Sequence, residues 1–163
     1  MQVPRRQRET RNGLYTDAER RRRDSSPWTM VQAVLAPLQF LVFLVSLGLV
    51  LRTLATGEGG TLANSSVILK TLLLYTIMVT GSLWEKDVFG KYLFAPAFFW
   101  EDAVSFIVIA LHTAYLACLL TGALSESGLL MLALVAYAAY VANAAQFLLK
   151  LRAARLETAR AAS

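Results

Sequence analysis

Four carboxylates converge on one short stretch of the chain: Glu85 and Asp87 leave one apolar block, and Glu101 and Asp102 enter the next. Trp84 and Trp100 immediately precede the two glutamates. A carboxyl held against an indole in a half-dry site suits general acid–base chemistry near neutral pH. The plainer account is that charges mark where helices leave an apolar layer, with Lys86 and Lys91 as their partners. That account is the better one for Asp87 and Asp102, so Glu85 and Glu101 are the candidates for chemistry. Successive residues of a helix turn by about 100°, so Ser105, Val108 and His112 fall within roughly 40° of the line through Glu101, and Tyr115 flanks it. A stripe bearing a charge, a hydroxyl and an imidazole must face the interior of a helical assembly rather than lipid.

Other polar residues invite quieter readings. Tyr140, Asn143 and Gln146 step by three, and Gln32 and Gln39 sit two turns apart on one face; both sets suit hydrogen bonding between helices. Lys70 lies inside an apolar block about one turn from its end and is expected to snorkel to the interface.

Much chemistry is excluded. One cysteine, Cys118, cannot form an intramolecular disulfide. One histidine and one cysteine cannot build a protein-only zinc or iron–sulfur site. No phosphate-loop, nucleophile-elbow or zinc-protease spacing occurs, and no cofactor is expected.

The elements that must position these residues follow from hydropathy. Hydrophobic residues make up 56% of the 163, above the 45–50% usual for a soluble domain. They fall into long blocks. Trp28 to Leu51 runs 24 residues without a charge, where about 20 suffice to cross a hydrocarbon core. It is too long for a signal peptide's apolar region. Ser26 as N-cap and Pro27 in the first turn mark its start, and Pro37 and Gly48 should bend it. Further spans are expected at about 65–84, 103–123 and 129–149. Between the second and third lies EKDVFGKYLFAPAFFWED, whose middle from Tyr92 to Trp100 is too short to span and too apolar for free water. It reads as an interfacial or re-entrant segment packed on the bundle. The fold class is therefore all-α: a polytopic four-transmembrane-helix bundle with an aromatic interfacial loop between helices 2 and 3. Residues 1–27 form a basic N-terminal tail, 28–150 the transmembrane domain and 151–163 a short basic C-terminal tail.

Lysine and arginine set the orientation. Eight lie in the N-terminal tail, two in the middle loop and four at the C-terminal end, against Arg52 alone in the other two connections. Fourteen against one places the tail, the middle loop and the C-terminus in the cytoplasm. Trp28, Trp84, Tyr92 and Trp100 then form an aromatic belt at that face. A basic tail beside an apolar block points to a membrane surface and not to nucleic acid.

Particular strings are now recognisable. LAPLQFLVFLVSL (35–47), IMVTGSLWEKDVFGKYLFAPAFFWED (77–102) and VIALHTAYL (108–116) resemble the 3-vinyl (2-vinyl) bacteriochlorophyllide hydratase family of bacteriochlorophyll biosynthesis. YTDAERRRRDSSPWT (15–29) and YAAYVANAAQFLLKLR (137–152) resemble the family's ends, so the likeness covers about residues 14–155. Residues 1–13 fall outside it and are expected to be dispensable for insertion and activity.

The resemblance implies hydration of the C3 vinyl group of a magnesium chlorin to a 1-hydroxyethyl group, in a bacterial inner or intracytoplasmic photosynthetic membrane. Such a reaction needs an acid at the vinyl terminus, a base for water and a dry slot for a flat ring. Glu101 is the first candidate for the acid and Glu85 for the base, with the roles exchangeable. His112 is a candidate axial ligand to the substrate magnesium, since neutral imidazole suits metals. Lys86 or Lys91 is expected to pair with the substrate's free propionate, and Ser105, Trp84 and Trp100 to line the substrate site. Contact with other pigment-biosynthesis enzymes is an expected partnership. A non-catalytic pigment carrier or assembly factor is the alternative. A transporter is disfavoured by two short outer loops and the lack of paired half-spans.

Overall fold

The computed structural model describes residues 13–161, which form five helices and no strand: α1 (Asp17–Ser25), α2 (Pro27–Thr56), α3 (Gly60–Phe89), α4 (Phe99–Thr121) and α5 (Glu126–Ala161). The last four are long and apolar enough to cross a membrane. Most of their ends lie outside the apolar stretches read from sequence, because helix persists into the charged flanks where hydropathy stops; α4 alone stops short, at Thr121 ahead of a Gly122 cap. α4 starts at Phe99 instead of about Ala103, which puts Glu101 and Asp102 in its first turn. α5 runs on past Lys150 to Ala161, so much of the expected C-terminal tail is helical.

The basic tail contains a helix that apolar periodicity could not reveal, because no residue of α1 is buried. Its start is set by a capping box: the Glu19 amide donates to Thr16 Oγ1 at 3.2 Å and the Thr16 amide to Glu19 Oε2 at 2.7 Å. Reciprocal capping of this kind satisfies two amides that a helix start otherwise leaves unpaired. Just ahead of it Tyr15 is buried, stacked on Phe89 at 5.8 Å, with the Arg23 guanidinium 4.9 Å from its ring centre. The expectation for residues 1–13 falls almost wholly outside the described residues.

Ser26 does cap α2 by position, ahead of Pro27, but its side chain makes no cap bond. Its hydroxyl donates to Asp87 Oδ2 at 2.8 Å and so ties the start of α2 to the end of α3.

α2 packs along α3 and α4 along α5, and the two hairpins meet more sparsely. The end of the bundle with the 90–98 loop is the loop end, and the opposite one the hairpin end. The main core, with Phe43, Val67, Val108, Tyr115, Leu130 and Tyr137, lines the seam between them. Outward-facing Leu41, Val45, Leu72, Val79, Leu120 and Val135 are exposed, as apolar residues are where the surrounding solvent is lipid. A second aromatic cluster, Tyr15, Trp84, Phe89, Phe98 and Phe147, closes the loop end. The expectation that Lys70 snorkels is overturned: its side chain is fully buried, with Nζ 3.4 Å from the centre of the Tyr140 ring. Lys70 lies on the face of α3 turned to the seam, where Val67, Thr71 and Leu74 are also buried, so reaching the interface would expose that face.

Candidate active site

Gly90 ends α3 with a left-handed backbone (φ 80°), a conformation that carries a steric cost for residues with a Cβ. The chain then crosses to Phe98 in a compact loop in which Ala95, Ala97 and Phe98 are buried against the bundle. Phe94 also has a positive φ, of 58°. Such strain persists only where surrounding contacts impose it, and here two carboxylates do so. Asp102 Oδ2 accepts the Phe94 amide at 2.7 Å, and Glu85 Oε2 accepts the Ala95 amide at 3.2 Å.

The two carboxyl groups thus hold adjacent amides of one loop and lie close enough to act on each other electrostatically. Two buried carboxyls so placed disfavour a double negative charge, an arrangement suited to keeping one proton on the pair. Glu101 lies beside Asp102 and accepts from Lys150 Nζ at 2.6 Å through Oε2, while the same ammonium donates to the Ala97 carbonyl. The three carboxyls are each at least 94% buried. The backbone beneath is braced as well. Asn143 Nδ2 and Ser105 Oγ both donate to the Glu101 carbonyl, at 2.9 and 2.8 Å, and Ser105 Oγ contacts Asn143 Oδ1 at 3.0 Å. Helices α3, α4 and α5 thus each send side chains under one loop.

This arrangement corrects several expectations. Asp102 does not merely mark a helix boundary; it is 3% exposed and holds the Phe94 amide beside the one that Glu85 holds. Lys86 and Lys91 are not the carboxylates' partners. Lys86 Nζ donates to the Gly90 carbonyl at 3.1 Å and lies 5.2 Å from the Tyr92 ring centre, and Lys91 is exposed. The partner is Lys150, which hydropathy presents only as a stop signal. Trp100 is 70% exposed and does not dry Glu101. Trp84 packs edge-on to Phe89 and Phe98 and donates its indole N–H to Thr29 Oγ1 at 3.0 Å. Glu85 and Glu101 do meet in one cluster, with Ser105 beneath it. His112 does not: eleven residues, about 16 Å of helix, separate it from Glu101. Its Nδ1 contacts the Val108 carbonyl at 2.8 Å, and its ring centre is 5.8 Å from that of Tyr137.

A signal for Lys150 was present in the sequence. Asn143 and Lys150 are seven apart and share a face of α5, the one that meets the polar stripe of α4. Gln32 does act between helices, donating to Thr80 Oγ1 at 2.7 Å.

Fold and site together define a polytopic α-helical membrane protein with a carboxyl–lysine cluster sealed under an interfacial loop, a setting for proton transfer in a dry site. The chain belongs to the 2-vinyl bacteriochlorophyllide hydratase family, whose profile matches residues 15–153. It is 65% identical over 153 residues to the 2-vinyl bacteriochlorophyllide hydratase of Rhodobacter capsulatus, covering 94% of this chain and 89% of that one. It is 67% identical over 145 residues to the protein of the same name from Cereibacter sphaeroides, covering 88% and 89%. No solved structure matches it.

Proposed function

We propose that this hydratase adds water across the vinyl group of a magnesium bacteriochlorophyllide at the Glu85–Asp102–Glu101–Lys150 cluster. The observation that carries the site assignment is one buried cluster in which two carboxyls hold adjacent loop amides beside a third that is ion-paired to an ammonium. The close pair is suited to keep a proton and act as acid, and the ion-paired carboxylate to act as base.

The chemistry runs as follows. The Glu85–Asp102 proton passes to the terminal vinyl carbon, and the positive charge left on the inner carbon delocalises into the macrocycle. Water adds to that carbon and loses a proton to Glu101. Transfer of this proton through Asp102 restores the acid pair. Water is the only other reactant, and no electrons are exchanged. A carboxylate paired to an ammonium holds no proton of its own to give, so the roles first expected from sequence are exchanged: Glu85 serves as acid and Glu101 as base. Lys150 holds the Glu101 carboxylate in place and ties it to the loop through Ala97. The imidazole of His112 is assigned to the substrate magnesium. The Val108 carbonyl can only accept, so Nδ1 carries the ring proton and Nε2 presents a bare lone pair. With the magnesium at His112, the ring lies along the seam between hairpins, and its vinyl edge reaches Glu101 if both side chains lean together.

The assay is optical. Membranes holding the protein, given 3-vinyl bacteriochlorophyllide, are expected to shift its absorption to the blue, because hydration shortens the conjugation. Tight pigment binding with no such shift would instead support a carrier or assembly factor. The orientation proposed is loop end in the cytoplasm, from the lysine and arginine asymmetry. Reporter fusions after Leu62 and Ser127 are expected to read as extracytoplasmic, and fusions after Lys91 and Ser163 as cytoplasmic. A cytoplasmic reading at Ser127 would break that topology.

A further inference from the structure

The bundle contains a second polar cluster that the carboxyl chemistry does not use. Counted at 1.5 Å per residue from the hairpin end of each helix, Ser46, Lys70, His112 and Tyr137 all lie about 14–17 Å deep, one from each membrane-spanning helix. Ser46 and Tyr137 satisfy each other through a 2.6 Å hydroxyl contact. Lys70 and His112 do not. Both are fully buried, and Lys70 Nζ and His112 Nε2 have no hydrogen-bond partner. The Tyr140 ring face can attract a charged Lys70 but cannot neutralise it. The ion pairs Arg23–Asp24 and Lys150–Glu101 lie elsewhere in the molecule. An ammonium at this depth is costly without an anion, and a lone anion would be as costly.

Given the substrate reading above, we propose that Lys70 is the binding site for the free propionate carboxylate of the pigment. A macrocycle drawn into the seam carries that carboxylate to membrane depth, and pairing there cancels two penalties at once. The pairing also fits the position of Lys70 beside His112. Ligation of the magnesium there, with the vinyl group turned toward Glu101, leaves the propionate, carried by a neighbouring ring and pointing away from the vinyl group, on the side of the hairpin end. Lys86 and Lys91, at the far boundary, are then not the propionate's partners. The consequence is selectivity for unesterified pigment.

The experiment compares 3-vinyl bacteriochlorophyllide with its propionate methyl ester, using full-length protein in membranes. Wild type is expected to favour the free acid by about 10–100-fold in kcat/KM, the range of one hydrogen bond to a charged group. Lys70→Gln is expected to erase that preference through a raised KM for the acid while leaving turnover of the ester near wild type. Lys70→Met, which fills the same space without polarity, is expected to behave alike. The double variant Lys86→Gln/Lys91→Gln is expected to keep the preference. Loss of selectivity in that double variant, retention of it in Lys70→Gln, or equal loss of both substrates in well-inserted Lys70→Gln and Lys70→Met would each overturn the assignment. Turnover of the ester by wild type tests the hydratase reading separately.

Discussion

Glu85→Gln is expected to lower hydration by about 10²–10⁴-fold, the usual contribution of a positioned general acid, with the pigment still bound. Glutamine keeps the size of glutamate and can still accept the Ala95 amide, so the loop it anchors is retained. What disappears is the transferable proton. Asp102→Asn is expected to be severe as well, because Asp102 is the other half of the proposed acid pair and holds the neighbouring amide of the loop. This reverses what its sequence position suggests, one residue beyond Glu101 and turned away by about 100°. Asp87→Asn is the control. Asp87 lies at the same boundary but accepts from the Ser26 hydroxyl, outside the carboxyl cluster, so its loss should cost little activity. Equal defects in Asp87→Asn and Glu85→Gln would mean that boundary charge alone is being measured. A near-normal rate in well-inserted Glu85→Gln would remove Glu85 from the mechanism.

The contrast between Asp102 and Asp87 shows where the sequence stops being informative. The four spans were legible because some twenty consecutive apolar residues are what crossing a hydrocarbon core demands, and little else in a folded chain demands them. The inward stripe on α4 was legible because its period is fixed by helix geometry. Glu101, Ser105, Val108, His112 and Tyr115 are all buried. Pairing between helices was not legible. Glu85 meets Asp102 and Glu101 meets Lys150 through a fold that brings residues 85, 102 and 150 together, and no local pattern encodes that choice. Lys70 failed for a related reason. A lysine near a span end has two physical solutions, outward to the interface or inward to the bundle, and composition does not distinguish them. The tryptophans misled because adjacency in sequence puts side chains 100° apart on a helix, so Trp100 points out where Glu101 points in.

Lys150→Met is expected to separate the structural role of the ion pair from its catalytic one. The pair is well enclosed, with the lysine side chain 27% and the glutamate 8% exposed. Removing one partner of a buried pair leaves the other charge uncompensated, at a cost of about 3–5 kcal/mol. For a chain of this size that corresponds to a drop of roughly 6–20 °C in melting temperature, measured in detergent micelles. Activity is expected to fall too, since the carboxylate that receives the water's proton is no longer held at the loop. Glu101→Gln alone is expected to lose about 10²–10⁴-fold in rate by removing the base. The informative protein is the double variant Lys150→Met/Glu101→Gln. With the orphaned charge gone, most of the melting temperature should return while the hydration rate stays low. Recovery of both would mean that the pair only holds the fold together and that the base lies elsewhere. Recovery of neither would mean that Lys150 matters chiefly through its bond to the Ala97 carbonyl, which neither substitution restores.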